Sequence, residues 1–167
     1  MNNLTPTQLK KFRKLQRISL YLCGPMLDCT NDEMSEWRKR VKSTLIAYPI
    51  SIADPTTRDY RQVLKEAQTY EDIQRIDEEI ITNDLDEIAA SHALFCGIWK
   101  HSSGSAMEIY EAWKSRKFIV SIVPNRMNTS AWIRYHSTEV VENYSDAIAQ
   151  LRKYFPTIFG LERGIAY

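Results

Sequence analysis

The feature that most constrains the fold is a series of apolar runs that alternate with helical patterns. Five such runs are present, at residues 17–24, 48–53, 93–99 and 118–123 and at the short pair Val140 and Val141. Between them, apolar side chains recur every three or four residues, as in helices packed on one face. Apolar strands that alternate with helices predict a parallel sheet covered on both faces, so an α/β fold in three layers.

The helical patterns extend this prediction along the whole chain. They cover residues 31–47, a long polar region at 60–90, residues 105–116 and residues 145–154. Residues 1–16 are basic and form an N-terminal extension with a short helix begun at Thr5 and Pro6. A chain of 167 residues without internal repeats or a linker is most simply one domain. We expect that domain to cover residues 1–167.

Composition excludes several classes of function. The net charge of +1 gives no electrostatic argument for nucleic acid or for a membrane surface. No apolar segment reaches the roughly 18 residues of a membrane span, and no signal-peptide core is present. The three cysteines are odd in number and lack metal-ligand spacing, so a reducing cytoplasm is the expected compartment. The three histidines are also far from any acid cluster, and we expect no metal and no cofactor.

One short stretch, Ser102-Ser103-Gly104-Ser105-Ala106-Met107-Glu108, lies between an apolar strand and a helical pattern. Ligands of open α/β sheets bind at such strand-to-helix loops. Gly104 allows close approach of the backbone, and the helix start favours an anion. The stretch lacks the Gly-Lys-Ser/Thr of a Walker loop and the Gly-x-Ser-x-Gly of a nucleophile elbow. Glu108 is predicted to project from the first turn beside the ligand.

The carboxyl ends of parallel strands share one edge of the sheet, which would gather Tyr21, Gly24, Asp54 and this loop. Asp84 lies on the helix before the third long strand. Two carboxylates beside an anion-binding loop suit cleavage at the acetal-like C1′ of a sugar, with Glu108 as nucleophile. The plainer alternatives are that Glu108 complements the helix dipole, that Asp84 is a solvated acid and that the serines are helix caps.

These residues resemble motifs of the nucleoside 2-deoxyribosyltransferase superfamily, which includes 2′-deoxynucleoside 5′-monophosphate N-glycosidases and cytidylate hydrolases. Tyr21-Leu22-Cys23-Gly24-Pro25 is similar to the first strand and its turn. Asn83-Asp84-Leu85 is similar to the Asp-Leu pair, and Ser102-x-Gly104-x-x-x-Glu108 to the loop of the nucleophile. Ser130-Ala131-Trp132-Ile133-Arg134 resembles a segment whose serine reaches a phosphate in the neighbouring subunit.

The resemblance implies a flavodoxin-like (Rossmann-like) sheet, a homodimer or larger assembly, and cleavage of an N-glycosidic bond through Glu108. Asp84 would assist departure of the base or position the sugar, and Tyr21 would orient the glutamate. The residues implied to contact the substrate are Tyr21, Gly24, Pro25, Ser102, Gly104 and, from a neighbouring subunit, Ser130.

Ser102 favours a nucleotide substrate and hydrolysis over base exchange. Transferases of this superfamily usually carry an acid at this position, which would repel a 5′-phosphate, whereas a hydroxyl would accept it. The terminal Gly164-Ile165-Ala166-Tyr167 points the other way, because it resembles transferase ends whose tyrosine reaches a neighbouring site. Base transfer between nucleosides is therefore the main alternative. Hydrolysis of another ribosyl compound such as NAD, and a nucleotide sensor without turnover, also stay open.

Overall fold

The computed structural model describes residues 4–161 and contains a five-stranded parallel sheet. The strands are β1 (Ile18–Cys23), β2 (Ile50–Ala53), β3 (Ala93–Gly97), β4 (Phe118–Ile122) and β5 (Glu139–Val141). Their spatial order is β2-β1-β3-β4-β5, and every neighbouring pair is parallel. This is the flavodoxin-like order with its switch point between β1 and β3. The predicted fold class is confirmed.

Seven α-helices connect and cover these strands within residues 4–161. They are α1 (Pro6–Phe12), α2 (Asn31–Leu45), α3 (Arg61–Glu66), α4 (Tyr70–Ala90), α5 (Ser103–Lys114), α6 (Ala131–His136) and α7 (Tyr144–Tyr154). The long helical region predicted at 60–90 is divided, because Thr69 and Asp72 form a capping box that begins α4 anew. Helix α6 was not predicted, since six residues are too few to show a helical period.

The sheet has an apolar core on each face. On one side, the side chains of β1, β3 and β4 pack with those of α2 and α7. On the other side, α4, α5 and α6 cover the sheet. The predicted basic extension contributes to the first core, since Leu4 and Phe12 are buried there and the Phe12 ring lies 5.3 Å from that of Phe155. Among the described residues, no helix combines the length and apolarity needed to cross a membrane.

The ends of β1 and β3 approach each other unusually closely. An added Cβ at Gly24 would lie 2.9 Å from the carbonyl oxygen of Gly97 and 2.9 Å from a ring carbon of Trp37. Both distances are shorter than side-chain carbons tolerate, so a side chain at position 24 would force the two strand ends apart. Gly24 therefore serves packing, and this packing sets the position of the loop that follows β1.

Candidate active site

Two cavities lie at the carboxyl edge of the sheet, one on each side of the start of α5. The larger, of about 520 Å³, is here called the acidic cavity, because four carboxylates and two arginines line it: Asp28, Asp77, Asp84, Glu108, Arg58 and Arg61. The smaller, of about 390 Å³, is called the acid-free cavity, because none of the described residues that line it is Asp or Glu. His101 and Ser102 contribute to both walls.

Glu108 lies in the acidic cavity at the point where α5 crosses the end of β1. The hydroxyl of Tyr21 donates a hydrogen bond of 3.0 Å to Glu108 Oε1. Glu108 Oε2 is buried and makes no conventional hydrogen bond with the residues from 4 to 161. Helix α5 begins at Ser103, two residues earlier than predicted, so Glu108 stands in its second turn rather than its first. This weakens the helix-dipole interpretation, since the effect falls off within the first turn.

The environment of Glu108 favours its protonated form. Burial of the carboxyl group raises the pKa of Glu108 to about 7, and the charge of Asp84 raises it too. The Cys23 thiol and the Tyr21 hydroxyl act in the opposite direction. Burial raises the pKa of Tyr21 well above its usual range, so this phenol remains a hydrogen-bond donor to the carboxylate. Such perturbed carboxyl groups in a cleft are typical of catalytic sites.

Asp84 faces the same cavity from α4 and belongs to a small charged cluster. Its Oδ1 lies 3.5 Å from Nη2 of Arg58, whose Nη1 donates to Glu87. Burial raises the pKa of Asp84, while the Tyr21 hydroxyl and Arg58 oppose that rise. Tyr21 thus acts on both carboxyl groups and links them. The sequence-predicted pair of acids is brought together in one cavity, and Asp84 is not a freely solvated helix acid.

The loop before α5 is built as a helix cap. Ser102 Oγ accepts hydrogen bonds from the backbone N–H of Ser105 at 3.1 Å and from its hydroxyl at 3.0 Å. An added Cβ at Gly104 would meet only Ser102 Oγ, at 3.9 Å, so this backbone faces open space. A helix start favours an anion, but the N–H groups of Ser105 and Ala106 are already bonded to Ser102.

Solved structures with a similar fold are known. No family model and no curated protein matches the sequence. The 2-deoxyribosyltransferase of the psychrotolerant bacterium Bacillus psychrosaccharolyticus is similar in structure, with a TM-score of 0.59 at 17% identity over 80% of this chain and 95% of that one. A conserved protein from Enterococcus faecalis V583 is similar over 82% of this chain and 98% of its own, with a TM-score of 0.57 at 14% identity. The likeness is one of fold.

A buried charged network supports the floor of the acidic cavity. Arg38 is 1% exposed, donates to the carbonyl oxygen of Gly24 at 3.1 Å and lies 3.4 Å from Asp54 Oδ1. Lys42 pairs with the other Asp54 oxygen at 2.5 Å. Burial would raise the pKa of Asp54, but Lys42 and Thr56 outweigh it and lower that pKa. Asp54 therefore fixes the ends of β1 and β2 rather than facing the ligand.

Two long cationic side chains hold the loop of residues 24–30, which forms one wall of the acidic cavity. Lys100 Nζ donates to the carbonyl oxygen of Asp28 at 3.2 Å and pairs with Glu33 at 2.8 Å. From the opposite side, Arg61 Nη1 donates to the carbonyl oxygen of Cys29 at 2.9 Å. We call these two contacts the loop latches, since together they connect this loop to the segments after β2 and β3.

The other residues predicted to contact the substrate lie in different parts of the structure. Gly24, Ser102 and Gly104 line the acidic cavity, while Pro25 is buried and is not among its lining residues. Ser130 caps α6 through a 3.3 Å bond from the N–H of Trp132 and lines the acid-free cavity of its own chain. A contact of Ser130 with a neighbouring subunit stays a prediction. Tyr167 lies outside the described residues.

Sequence reasoning missed the two arginines of the acidic cavity. Arg58 ends a 3₁₀ turn at Pro55–Arg58, and Arg61 begins α3. The only signal was their place just after Asp54-Pro55, where the second strand stops at the ligand edge. No group of three His, Cys, Asp or Glu side chains in the described part of the chain could hold a metal ion. The ionisable and hydroxyl groups that line the acidic cavity include Glu108, Asp84 and Arg58.

Proposed function

We propose that this chain is an enzyme of the nucleoside 2-deoxyribosyltransferase superfamily that hydrolyses the N-glycosidic bond of a nucleoside 5′-monophosphate. The products would be a free base and a ribose or deoxyribose 5-phosphate. One observation carries the proposal: Glu108 is held by Tyr21 beside Asp84, in a cavity at the switch point of the sheet. The fold it shares with a 2-deoxyribosyltransferase supports the same class of chemistry.

The carboxyl groups take complementary roles in this reaction. Ionised Glu108 attacks C1′, the C1′–N bond breaks, and the bonding electrons leave with the base. Asp84 delivers a proton to the base or aligns the sugar, and water then releases the sugar phosphate from Glu108. Positive charge develops on the sugar at the transition state, so the unpartnered Oε2 of Glu108 gains an electrostatic partner there.

The choice of a phosphorylated substrate rests on the wall between the two cavities. Ser102 and the start of α5 present hydroxyl and N–H groups, and the residues described on the far side include no acid. A phosphate bound there could gain roughly 1.5–3 kcal/mol per charge-assisted hydrogen bond. Base transfer between free nucleosides remains the alternative, since Ser102 is the single residue that favours a nucleotide over a nucleoside. A sensor without turnover is less consistent with two neighbouring carboxyl groups whose pKa values burial raises.

Product analysis tests this function directly. The purified chain is incubated with a panel of nucleoside monophosphates, the matching nucleosides and NAD, with and without a second free base. We expect free base and sugar phosphate from a monophosphate, with no new nucleoside when the second base is present. Equal cleavage of nucleoside and monophosphate, or formation of a new nucleoside, would contradict the proposal. Glu108→Gln is the blank for contaminating activity.

We also propose a homo-oligomer, with α5 and α6 at the subunit contact. Three large apolar side chains on these helices are strongly exposed, Met107 at 65%, Trp132 at 66% and Tyr135 at 52%. Such adjacent patches are typical of interaction surfaces. Light scattering at micromolar concentration should give at least twice the mass of the chain, and Trp132→Asp should lower it. A monomeric wild type with full activity would contradict this part.

A further inference from the structure

The acid-free cavity carries polar groups whose hydrogen-bonding capacity is unused. Within residues 4–161, the imidazole of His101 and the side-chain amide of Asn128 make no hydrogen bond, and the Ser130 hydroxyl acts only as an acceptor. Lys100 also lines this wall, with its ammonium group paired with Glu33. His101, Asn128 and Ser130 are exposed, so a polar ligand bound here would replace water and would not displace a protein partner.

The same cavity also has rigid apolar walls suited to a flat ring. The Trp99 indole is half-buried and held edge-on against Trp37, with ring centroids 5.2 Å apart. Ile98 and Ile133 lie on the walls with it. A volume of about 390 Å³ falls within the roughly 300–1,000 Å³ of small-molecule sites. Aromatic walls of this kind stack on bases, which contributes roughly 1–3 kcal/mol per base.

The position of this cavity relates it to the 5′ end of the substrate. Among the described residues, His101 and Ser102 are the two that line both cavities, and Ser102 is where the proposed 5′-phosphate binds. A group attached to that phosphate would leave the acidic cavity over Ser102 and enter the acid-free one. A pyrophosphate is tolerated on this route, because the described wall residues carry no negative charge to repel it.

We propose that the acid-free cavity binds the distal nucleoside of a substrate in which a pyrophosphate joins two nucleosides, so that the preferred substrate is a dinucleotide. The inference rests on the proposed function, since it places the cleaved nucleoside at Glu108. It goes beyond that function by assigning a second nucleoside site to Trp99, Asn128 and their neighbours. The distal base stacks on the indole, and the amide and imidazole groups bind its polar edge or its ribose.

The test compares three substrates that share one scissile bond. The monophosphate that the wild-type chain cleaves is compared with its diphosphate and with the same nucleotide joined through pyrophosphate to adenosine. Asn128→Trp fills the cavity. Met127→Trp is the matched control, because this neighbouring side chain is 86% exposed and does not line the cavity.

We expect kcat/KM for the dinucleotide to be at least tenfold higher than for the monophosphate. Asn128→Trp should reduce the dinucleotide value at least tenfold, and Met127→Trp should leave it unchanged. Monophosphate turnover should be the same in all three proteins.

Other results overturn the inference separately from the proposed function. A diphosphate as good as the dinucleotide would show that only a second phosphate is bound. Equal losses for all substrates in Asn128→Trp would show a structural effect. If no substrate is cleaved, the proposed function fails, and calorimetry still tests the cavity: diadenosine diphosphate should bind the wild type at least tenfold more tightly than AMP, and Asn128→Trp should remove the difference. Equal binding would overturn the cavity assignment.

Discussion

The two cavities share a wall but differ in charge, and the difference indicates how a nucleotide would be divided between them. The acidic cavity has four carboxylates against two arginines, whereas the acid-free cavity has neutral polar groups and Lys100, which is paired with Glu33. Under the proposed function, a sugar that becomes positively charged is stabilised in the first. A phosphate is repelled there and accepted at the shared wall, where Ser102 lies. The start of α5 is thus a boundary between the reacting centre and the anionic end of the substrate.

The largest expected effect comes from removing the carboxylate of Glu108. Glu108→Gln should lower kcat by at least about a thousandfold, because the nucleophile is lost while the shape is kept. Steady-state kinetics at pH 8 measures this. Glu111→Gln on the same helix, whose carboxylate pairs with Lys114, is the control. If Glu108→Gln retained more than a tenth of the activity, the nucleophile would lie elsewhere.

The same variant should also be more stable than the wild type at alkaline pH. The pKa of Glu108 is raised above its unfolded value, so the native state binds more protons between about pH 4.5 and 7 and loses stability as the pH rises through that range. A glutamine side chain does not ionise, so the variant avoids this loss of stability. We expect a Tm a few degrees higher than that of the wild type at pH 8, where roughly 1 kcal/mol corresponds to about 2–4 °C. A Tm below that of the wild type at pH 8 would refute the burial argument.

Asp84→Asn should come next in size. A group that protonates the base or aligns the sugar acts in the transition state, so kcat should fall by about a hundredfold while KM changes little. Asp86→Asn, on the exposed side of the same helix, serves as the control. Should kcat survive while KM rises, Asp84 would be a ground-state binding group, and the base would need another proton source.

Ser102→Asp makes the shared wall acidic and so abolishes the contrast between the cavities. Aspartate is as good an N-cap as serine, so α5 should still form. Monophosphate hydrolysis should fall at least tenfold, or about 1.4 kcal/mol, through repulsion of the phosphate. Ser102→Asn keeps the cap without the charge and separates repulsion from packing. If Ser102→Asp leaves monophosphate turnover unchanged, the phosphate lies elsewhere.

Tyr21→Phe should have the smallest effect on activity. That effect is best measured as a change in the pH profile of kcat/KM. In the wild type, kcat/KM should rise with pH through about 7 as Glu108 ionises. Loss of the hydrogen bond raises the pKa of Glu108, so the rise moves to higher pH and activity at pH 7 falls by less than about tenfold. Asp84→Asn should move the profile in the opposite direction, because the Asp84 charge raises that pKa. A shift of both variants in one direction would contradict the coupling.

The fold and the meeting of the two acids could be predicted from the sequence because both follow from the order of elements. Parallel strands end at one edge, so Tyr21 on β1 and Glu108 on α5 had to approach each other. The position of Arg58 could not be predicted, because it depends on a four-residue 3₁₀ turn and on its pairing with Asp84 and with Glu87, which is 29 residues further along the chain. The acid-free cavity was hidden for a similar reason: α6 is too short to show a period.

The loop latches make one wall of the acidic cavity responsive to the buffer. Lys100 and Glu33 are 40% and 38% exposed in their side chains, so dissolved ions compete with their contact, whereas the buried Arg38–Asp54 pair beneath is shielded. Raising the ionic strength therefore loosens the rim of the cavity before it affects the floor. Ligand binding in the acidic cavity should then depend on salt as well as on sequence, and a measurement in dilute buffer describes a firmer rim than the one present at about 0.15 M.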